Sequence, residues 1–182
     1  MEERITRIVQ VFDEVGARWT LVGAHAVGAL TEPRATEDFD FVIEDRKLST
    51  VLEKLGEVFG PLTTTDVGAA VRVLNLDIDL IRSTAHPLFK RSLDETRDAA
   101  SWRIPVPELL IALKFLSSVN PWRGVDRRRQ DVLDLILIYK TIGLDGLDRE
   151  RILALSRDVY PGAERELGQL LGRVDRDEPI TI

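Results

Sequence analysis

Apolar residues first recur at helical spacing, then alternate, then recur again, and these changes of period predict the elements. Ile5, Ile8, Val9, Phe12 and Val15 fit one face of a helix over residues 3–15, with Gly16 as its stop. Residues 18–22, RWTLV, predict a short buried strand that ends in a turn at Gly23. AHAVGAL then begins a helix, Thr31-Glu32-Pro33 breaks it, and Arg34-Ala35-Thr36-Glu37 forms a loop. Asp38 to Ile43, DFDFVI, predicts a second strand. Leu48, Val51, Leu52, Leu55 and Val58 mark a helix over 46–59, closed by Gly60-Pro61. Val71 to Ile81 predicts further β structure, in two strands broken near Asn75.

From Pro107 the pattern is helical: PELLIALKFLSS, a loop NPWRG, a long helix ending at Gly143, two more near 147–158 and 162–174, and a loose tail DRDEPITI. This order predicts an α+β protein. A small mixed β-sheet covered by helices would occupy residues 1–104, and a helical C-terminal extension packed on that core would occupy 105–182.

The polar positions of the strands carry the chemistry. If DFDFVI alternates, Phe39, Phe41 and Ile43 face the core while Asp38 and Asp40 share the other face. Asp77 and Asp79 alternate with Leu76, Ile78 and Leu80 in the same way. Like charges gathered on one face are unfavourable unless a cation neutralises them. Magnesium suits such a group because it prefers oxygen ligands and leaves positions for water and phosphate; manganese is the alternative. Two such ions would activate an attacking hydroxyl and stabilise a leaving pyrophosphate. The spacing does not fit a calcium loop, and a metal–sugar Asp-X-Asp motif stays open although the larger nucleotide-binding sheet it needs is missing. Gly23, directly after a strand, would let the backbone approach a ligand closely.

Composition narrows the setting. The chain of 182 residues contains no cysteine, so disulfides, thiolate metal sites and a cysteine nucleophile are excluded, and any metal must be held by oxygen or histidine. No run approaches the roughly 18 apolar residues of a membrane span, and MEERITRIVQVF is charged and amphipathic rather than signal-like, which predicts a cytoplasmic chain without a membrane partner. Net charge is -6, with 31 acids against 25 bases. The whole surface therefore does not advertise nucleic-acid binding, but a local patch can override that average.

Val22-Gly23-Ala24 entering a helix, followed by Arg34-Ala35-Thr36-Glu37-Asp38-Phe39-Asp40-Phe41, resembles the minimal nucleotidyltransferase superfamily related to DNA polymerase beta. Within that superfamily the likeness is to AbiEii-type and related uncharacterised bacterial nucleotidyltransferase-like proteins. The resemblance continues through Pro107-Glu108-Leu109-Leu110, Lys114, Arg128, Asp131 and Asp134, and spans about residues 19–139. It implies a nucleotidyltransferase fold in which Gly23 and Ala24 face the triphosphate and Asp38 and Asp40 bind magnesium. Asp79 is then the third carboxylate, with Asp77 as its substitute. The departure is Ala24, since the usual Gly-Ser form offers the phosphates a hydroxyl and alanine cannot; backbone N–H groups at the helix start can still hold phosphate.

Other candidates stand beside plainer readings. His25 either touches phosphate or packs. Arg34 and Thr36 either serve the triphosphate or hold the loop. Lys114, set among apolar neighbours, needs a partner, whether Asp131, a phosphate or an interhelical ion pair. Arg127 to Arg129 read as a solvated face or as the rim of an acceptor groove. The expected activity is transfer of a nucleoside monophosphate from a nucleoside triphosphate to a hydroxyl of RNA, protein or a small molecule. The resemblance also implies a toxin-like role with an antitoxin or regulatory partner. The alternative is a degenerate nucleotide-binding or regulatory module without turnover.

Overall fold

A computed structural model describes residues 2–36 and 38–180; Glu37 of the predicted loop and the last two residues of the tail lie outside the described residues. Helix α1 (Glu2–Glu14) buries Ile5, Ile8, Val11 and Phe12 completely, each contributing about 1.5–3 kcal/mol as an upper estimate. Strand β1 (Trp19–Val22) leads directly into α2 (Gly23–Leu30), which stops at Thr31. Strand β2 (Phe39–Ile43) is followed by a 3-10 turn over Asp45–Lys47 and then α3 (Leu48–Phe59), so the predicted helix is α-helical only from Leu48.

A short strand β3 (Thr64–Asp66) precedes β4 (Ala70–Val73) and β5 (Ile78–Arg82). The break between β4 and β5 is a 3-10 turn, Leu74–Leu76, closed by Asp77 in the left-handed region at φ 54°. This corrects the expectation for Asp77. It lies before the strand rather than in it, so it does not alternate with Asp79, and its side chain pairs with Arg4 at 2.8 Å.

Residues 82–106, where the hydrophobic pattern is too brief to specify an element, hold α4 (Pro87–Ser92) and a hairpin of β6 (Thr96–Ala99) and β7 (Trp102–Pro105). The helical half follows as α5 (Pro107–Ser118), α6 (Val125–Ile142), α7 (Arg149–Ser156) and α8 (Ala163–Asp175). No helix among the described residues is long and apolar enough to cross a membrane.

The five-stranded sheet has the order β1-β2-β5-β4-β3, with β2 and β5 parallel and the other neighbours antiparallel. It is a mixed sheet covered by helices, as expected. Phe12 of α1 packs edge-on against Phe41 at 5.2 Å between ring centroids. On the other face Val22 and Val42 are covered by Leu88 of α4 and by Leu109, Ala112 and Leu113 of α5. The turn between β7 and α5 falls where the chain becomes helical, yet one buried cluster joins Leu21, Phe41 and Leu80 of the sheet to Leu110, Leu135 and Leu167 of the helices.

Candidate active site

Alternation along β2 sets the site. Phe39, Phe41 and Ile43 are buried, while Asp40 lies on the opposite face and is partly open to solvent. Strand register then carries a row of residues across the sheet: Val22 pairs with Asp40, Asp40 with Asp79, and Asp79 with Arg72. Neighbouring strands lie about 4.8 Å apart, and the charge of Asp79 acts on Asp40, so the two carboxyls are adjacent. Asp38 stands just before β2 and is exposed.

Gly23 closes one side. Its φ is +69°, and a Cβ there would lie 2.0 Å from Oδ2 of Asp40, so both conformation and space require glycine. The carboxylate thus rests against the first turn of α2. Among the described residues no side chain caps that helix start and no acid lies in its first turn, which leaves its N–H groups for another acceptor. Ala24 and His25 belong to the same turn.

Burial and like charge act together on these acids. Burial, then the charge of Asp79, push the Asp40 carboxyl up to about 6; Lys114 opposes them, Asp38 adds to them and Arg123 opposes. Asp79 is also raised, chiefly by burial, against the pull of Arg72 at 3.5 Å, with Asp38 raising and Arg127 lowering. The acidic strands therefore face basic groups from α6 and the loop before it.

A second charged group lies between α5 and α6. Lys114 is 5% exposed and bonds Asp131 at 3.0 Å and Asp134 at 2.7 Å, both of them buried. Arg34 reaches Asp134 with two donors, at 3.3 and 3.2 Å, and Gln130 donates to the same carboxylate at 3.0 Å. Arg123 donates to Asp131 at 2.7 Å. Burial favours the neutral form of Asp134, but Lys114 and the donors of Arg34, Lys114 and Gln130 outweigh it, and its carboxyl is held below the usual range.

Of the expected site residues, Gly23, Asp40 and Asp79 lie side by side while Asp38 stands exposed just before β2, and Lys114, Arg34 and Asp131 form the adjoining ion cluster. Thr36 is half-buried in the loop before Asp38. His25 stacks on Phe39 with ring centroids 3.6 Å apart and 8° between planes, and its Nε2 is buried without a hydrogen-bond partner among the described residues. Arg128 likewise keeps a buried Nε without such a partner. Asp77 stands apart with Arg4. Sequence reasoning missed Arg72 and Gln130. Among the described residues no three His, Cys, Asp or Glu side chains converge closely enough to enclose a metal ion.

No family model and no curated protein matches the chain. Among solved structures, the crystal structure of ANT(2'')-Ia in complex with adenylyl-2''-tobramycin aligns with a TM-score of 0.59 and 14% identity, over 92% of this chain and 99% of that one. The solution structure of the same antibiotic-resistance factor aligns over 97% of both chains, with a TM-score of 0.52 and 16% identity. An antigenic nucleotidyltransferase-like protein from Paracoccidioides brasiliensis gives 0.50 and 14% over 94% of this chain and 91% of that one. The chain has the nucleotidyltransferase fold. At such identities the likeness speaks for the fold alone, and the row of acids beside Gly23 stands on its own geometry.

Proposed function

We propose that the protein is a metal-dependent nucleotidyltransferase that moves a nucleoside monophosphate from a nucleoside triphosphate to a hydroxyl. The observation that carries this reading is the pairing of Asp40 with Asp79 on parallel strands, with the Asp40 carboxylate lodged against Gly23 at the start of α2. The donor set suits magnesium or manganese, being hard oxygens whose mutual repulsion a cation would relieve. Asp38 and Asp40 would hold the metal and Asp79 would complete its ligand set, the three side chains, which do not yet converge on one point, drawing in around the ion. When bound, it supplies charge neutralisation at the phosphoryl oxygens and at the attacking hydroxyl.

The chain's own groups do the rest. Backbone N–H groups of the first turn of α2 receive phosphate oxygens, and Arg123 and Arg127 oppose the charge of the triphosphate. The acceptor oxygen bonds to the α-phosphorus, the bond to the pyrophosphate breaks, and Asp79, with its raised affinity for protons, takes the hydroxyl proton. The acceptor classes are a small hydroxylated molecule, consistent with the adenylyl-tobramycin held by ANT(2'')-Ia, RNA and protein. The toxin-like setting and its antitoxin partner rest on the AbiEii-type resemblance alone.

A module that binds nucleotide without turnover is the second reading. It is favoured by Ala24, which offers no hydroxyl, and by Lys114, whose ammonium is already engaged by two aspartates. The test is incubation with each α-labelled triphosphate and magnesium in cell extract, beside Asp40→Ala. Transfer of label by the wild type alone supports the enzyme. A rise in melting temperature with magnesium and a nonhydrolysable triphosphate, lost in Asp40→Ala but unaccompanied by label transfer, establishes the module instead.

A further inference from the structure

The three tryptophans have very different surroundings. Trp19 is buried against Phe12 and Phe41, and Trp102 packs on Phe39, but Trp122 is 94% exposed. Among the described residues it is the one exposed aromatic side chain. An indole has a large apolar surface, and leaving it in water forfeits the gain of burial. The loop nevertheless holds it there firmly. The side chain of Asn120 accepts the backbone N–H of Trp122 at 3.0 Å, the carbonyl of Asn120 accepts that of Arg123 at 3.1 Å, and Pro121 restricts the backbone between them.

This loop borders the row of acids. It joins α5 to α6, and both helices pack on α2, whose first residue, Gly23, lies against the Asp40 carboxylate. Arg123 turns inward to Asp131 at 2.7 Å, and Asp131 also bonds Lys114. The charges of Lys114 and Arg123 act on Asp40, and that of Arg127 acts on Asp79. Trp122 therefore stands one residue from a guanidinium that the acids feel. Neighbouring side chains thus offer a cation and a flat apolar face, which match the phosphate end and the base end of a nucleotide.

The surroundings of the ring favour a base over a protein surface. A protein hot spot gathers several anchors in one packed patch. Beside Trp122 the chain offers Pro121, Arg123 and Gly124, then Val125, half exposed, and the charged Asp126. The next exposed large apolar side chain of α6 is Leu133, about 12 Å from Val125 along the helix axis. A purine or pyrimidine, by contrast, needs only one flat partner, because its polar edges stay in water while its face stacks. The phenylalanines of β2 face the core, and among the described residues no other exposed ring is available to a base.

We infer that Trp122 stacks on the base of the nucleoside triphosphate, holding the nucleoside while the phosphates reach toward Arg123 and the acids. The inference rests on the nucleotidyltransferase reading in one respect, that the nucleotide lies at the Asp40 site; it adds the contact that holds the nucleoside. Stacking engages a π-face rather than hydrogen-bonding edges, so the contact serves more than one base.

The experiment is calorimetric titration, in magnesium, with the α,β-methylene analogue of ATP, which cannot transfer its nucleotide, and with inorganic tripolyphosphate, which has no base. The proteins are wild type, Trp122→Ala and Trp122→Phe. Trp122→Ala should bind the analogue about tenfold more weakly and tripolyphosphate as the wild type does. Trp122→Phe should recover most of the loss, and the uridine analogue should show the same dependence. The ring is exposed, so thermal unfolding of both variants should match the wild type. Equal affinity of Trp122→Ala and wild type for the analogue would overturn the inference, leave the nucleotidyltransferase reading standing and assign the ring to a partner protein. An equal loss with tripolyphosphate would also overturn it, since the ring would then act by shaping the loop. A wild type that binds neither ligand would overturn the nucleotidyltransferase reading and the inference with it. Binding that depends on Trp122 without label transfer would support the stack while removing turnover.

Discussion

Asp40 and Asp134 are the same kind of residue in two neighbouring regions, and the protein treats them in opposite ways. Asp134 is almost wholly buried yet held ionised, because Lys114, Arg34 and Gln130 all donate to it. Asp40 is raised by burial and by the charges of Asp79 beside it in the sheet and of Asp38, which Lys114 and Arg123 oppose without outweighing, so its carboxyl rises to about 6. Burial alone therefore does not distinguish them; the supply of donors does. The cluster between α5 and α6 is electrostatically complete. The row on the sheet sets Arg72 against two carboxylates and stays short of positive charge, as the proposed metal and triphosphate site would require.

The largest effect should come from breaking the complete region. Lys114→Met leaves Asp131 and Asp134 buried without the ammonium that both share, and removing one member of a buried ion cluster costs about 3–5 kcal/mol. Urea unfolding at pH 7 should show a loss of that size. A variant as stable as the wild type would mean that the remaining arginines suffice and that Lys114 is available to a ligand.

The incomplete region should respond with the opposite sign. A group whose folded pKa is raised binds its proton more tightly in the native state, so its cost to stability grows as pH climbs from the unfolded value through the folded one and then levels off. A carboxyl moved from 3.8 to about 6 disfavours folding at pH 7 by about 2–3 kcal/mol, allowing for screening at its open side. Asp40→Asn should remove that cost and, on the proposed function, abolish nucleotidyl transfer. The gain measured by urea unfolding should fall to about half at pH 5 and vanish below about pH 4. Asp134 behaves inversely, since its depressed pKa stabilises the fold above the unfolded value and that support is lost as pH falls through the folded one. A destabilised Asp40→Asn at pH 7 would contradict the picture of an acid short of counter-charge.

Much of this contrast is legible in the sequence, but only where a local pattern decides the geometry. DFDFVI alternates, so alternation by itself sets Asp40 opposite the phenylalanines, and Gly23 after a strand marks a close approach, although the group that makes it is the Asp40 carboxylate and not the ligand the sequence led us to expect. Lys114 among apolar neighbours demands a partner, though choosing between Asp131 and Asp134 depends on the packing of α5 on α6, which brings in both. Asp77 misleads because Leu76 to Ile81 alternates in sequence while the chain turns through a left-handed residue at 77. The β6–β7 hairpin escapes because the left-handed residue of its turn is Ala100 rather than glycine or asparagine, the usual markers. Arg72 stays hidden for another reason. Its nearness to Asp79 depends on the register of two strands, and register is set by the whole sheet.

Arg72 offers the smallest test. It lies opposite Asp79 in the sheet, 3.5 Å from its carboxylate, and both side chains meet solvent. Such a pair contributes less than about 1 kcal/mol to stability, so Arg72→Met should unfold almost as the wild type does. If the row on the sheet is short of cations in readiness for a metal, however, Arg72 competes with that metal for Asp79. Removing a unit charge at this distance is worth about 1 kcal/mol in water-like surroundings, which corresponds to roughly a fivefold tighter binding of magnesium. Calorimetric titration with magnesium at pH 7 reads this directly. Weaker binding in Arg72→Met would show that the guanidinium orients Asp79 rather than competing for it, and the line between the two regions would then lie one strand further out, with Asp79 counted among the acids that already have their partner.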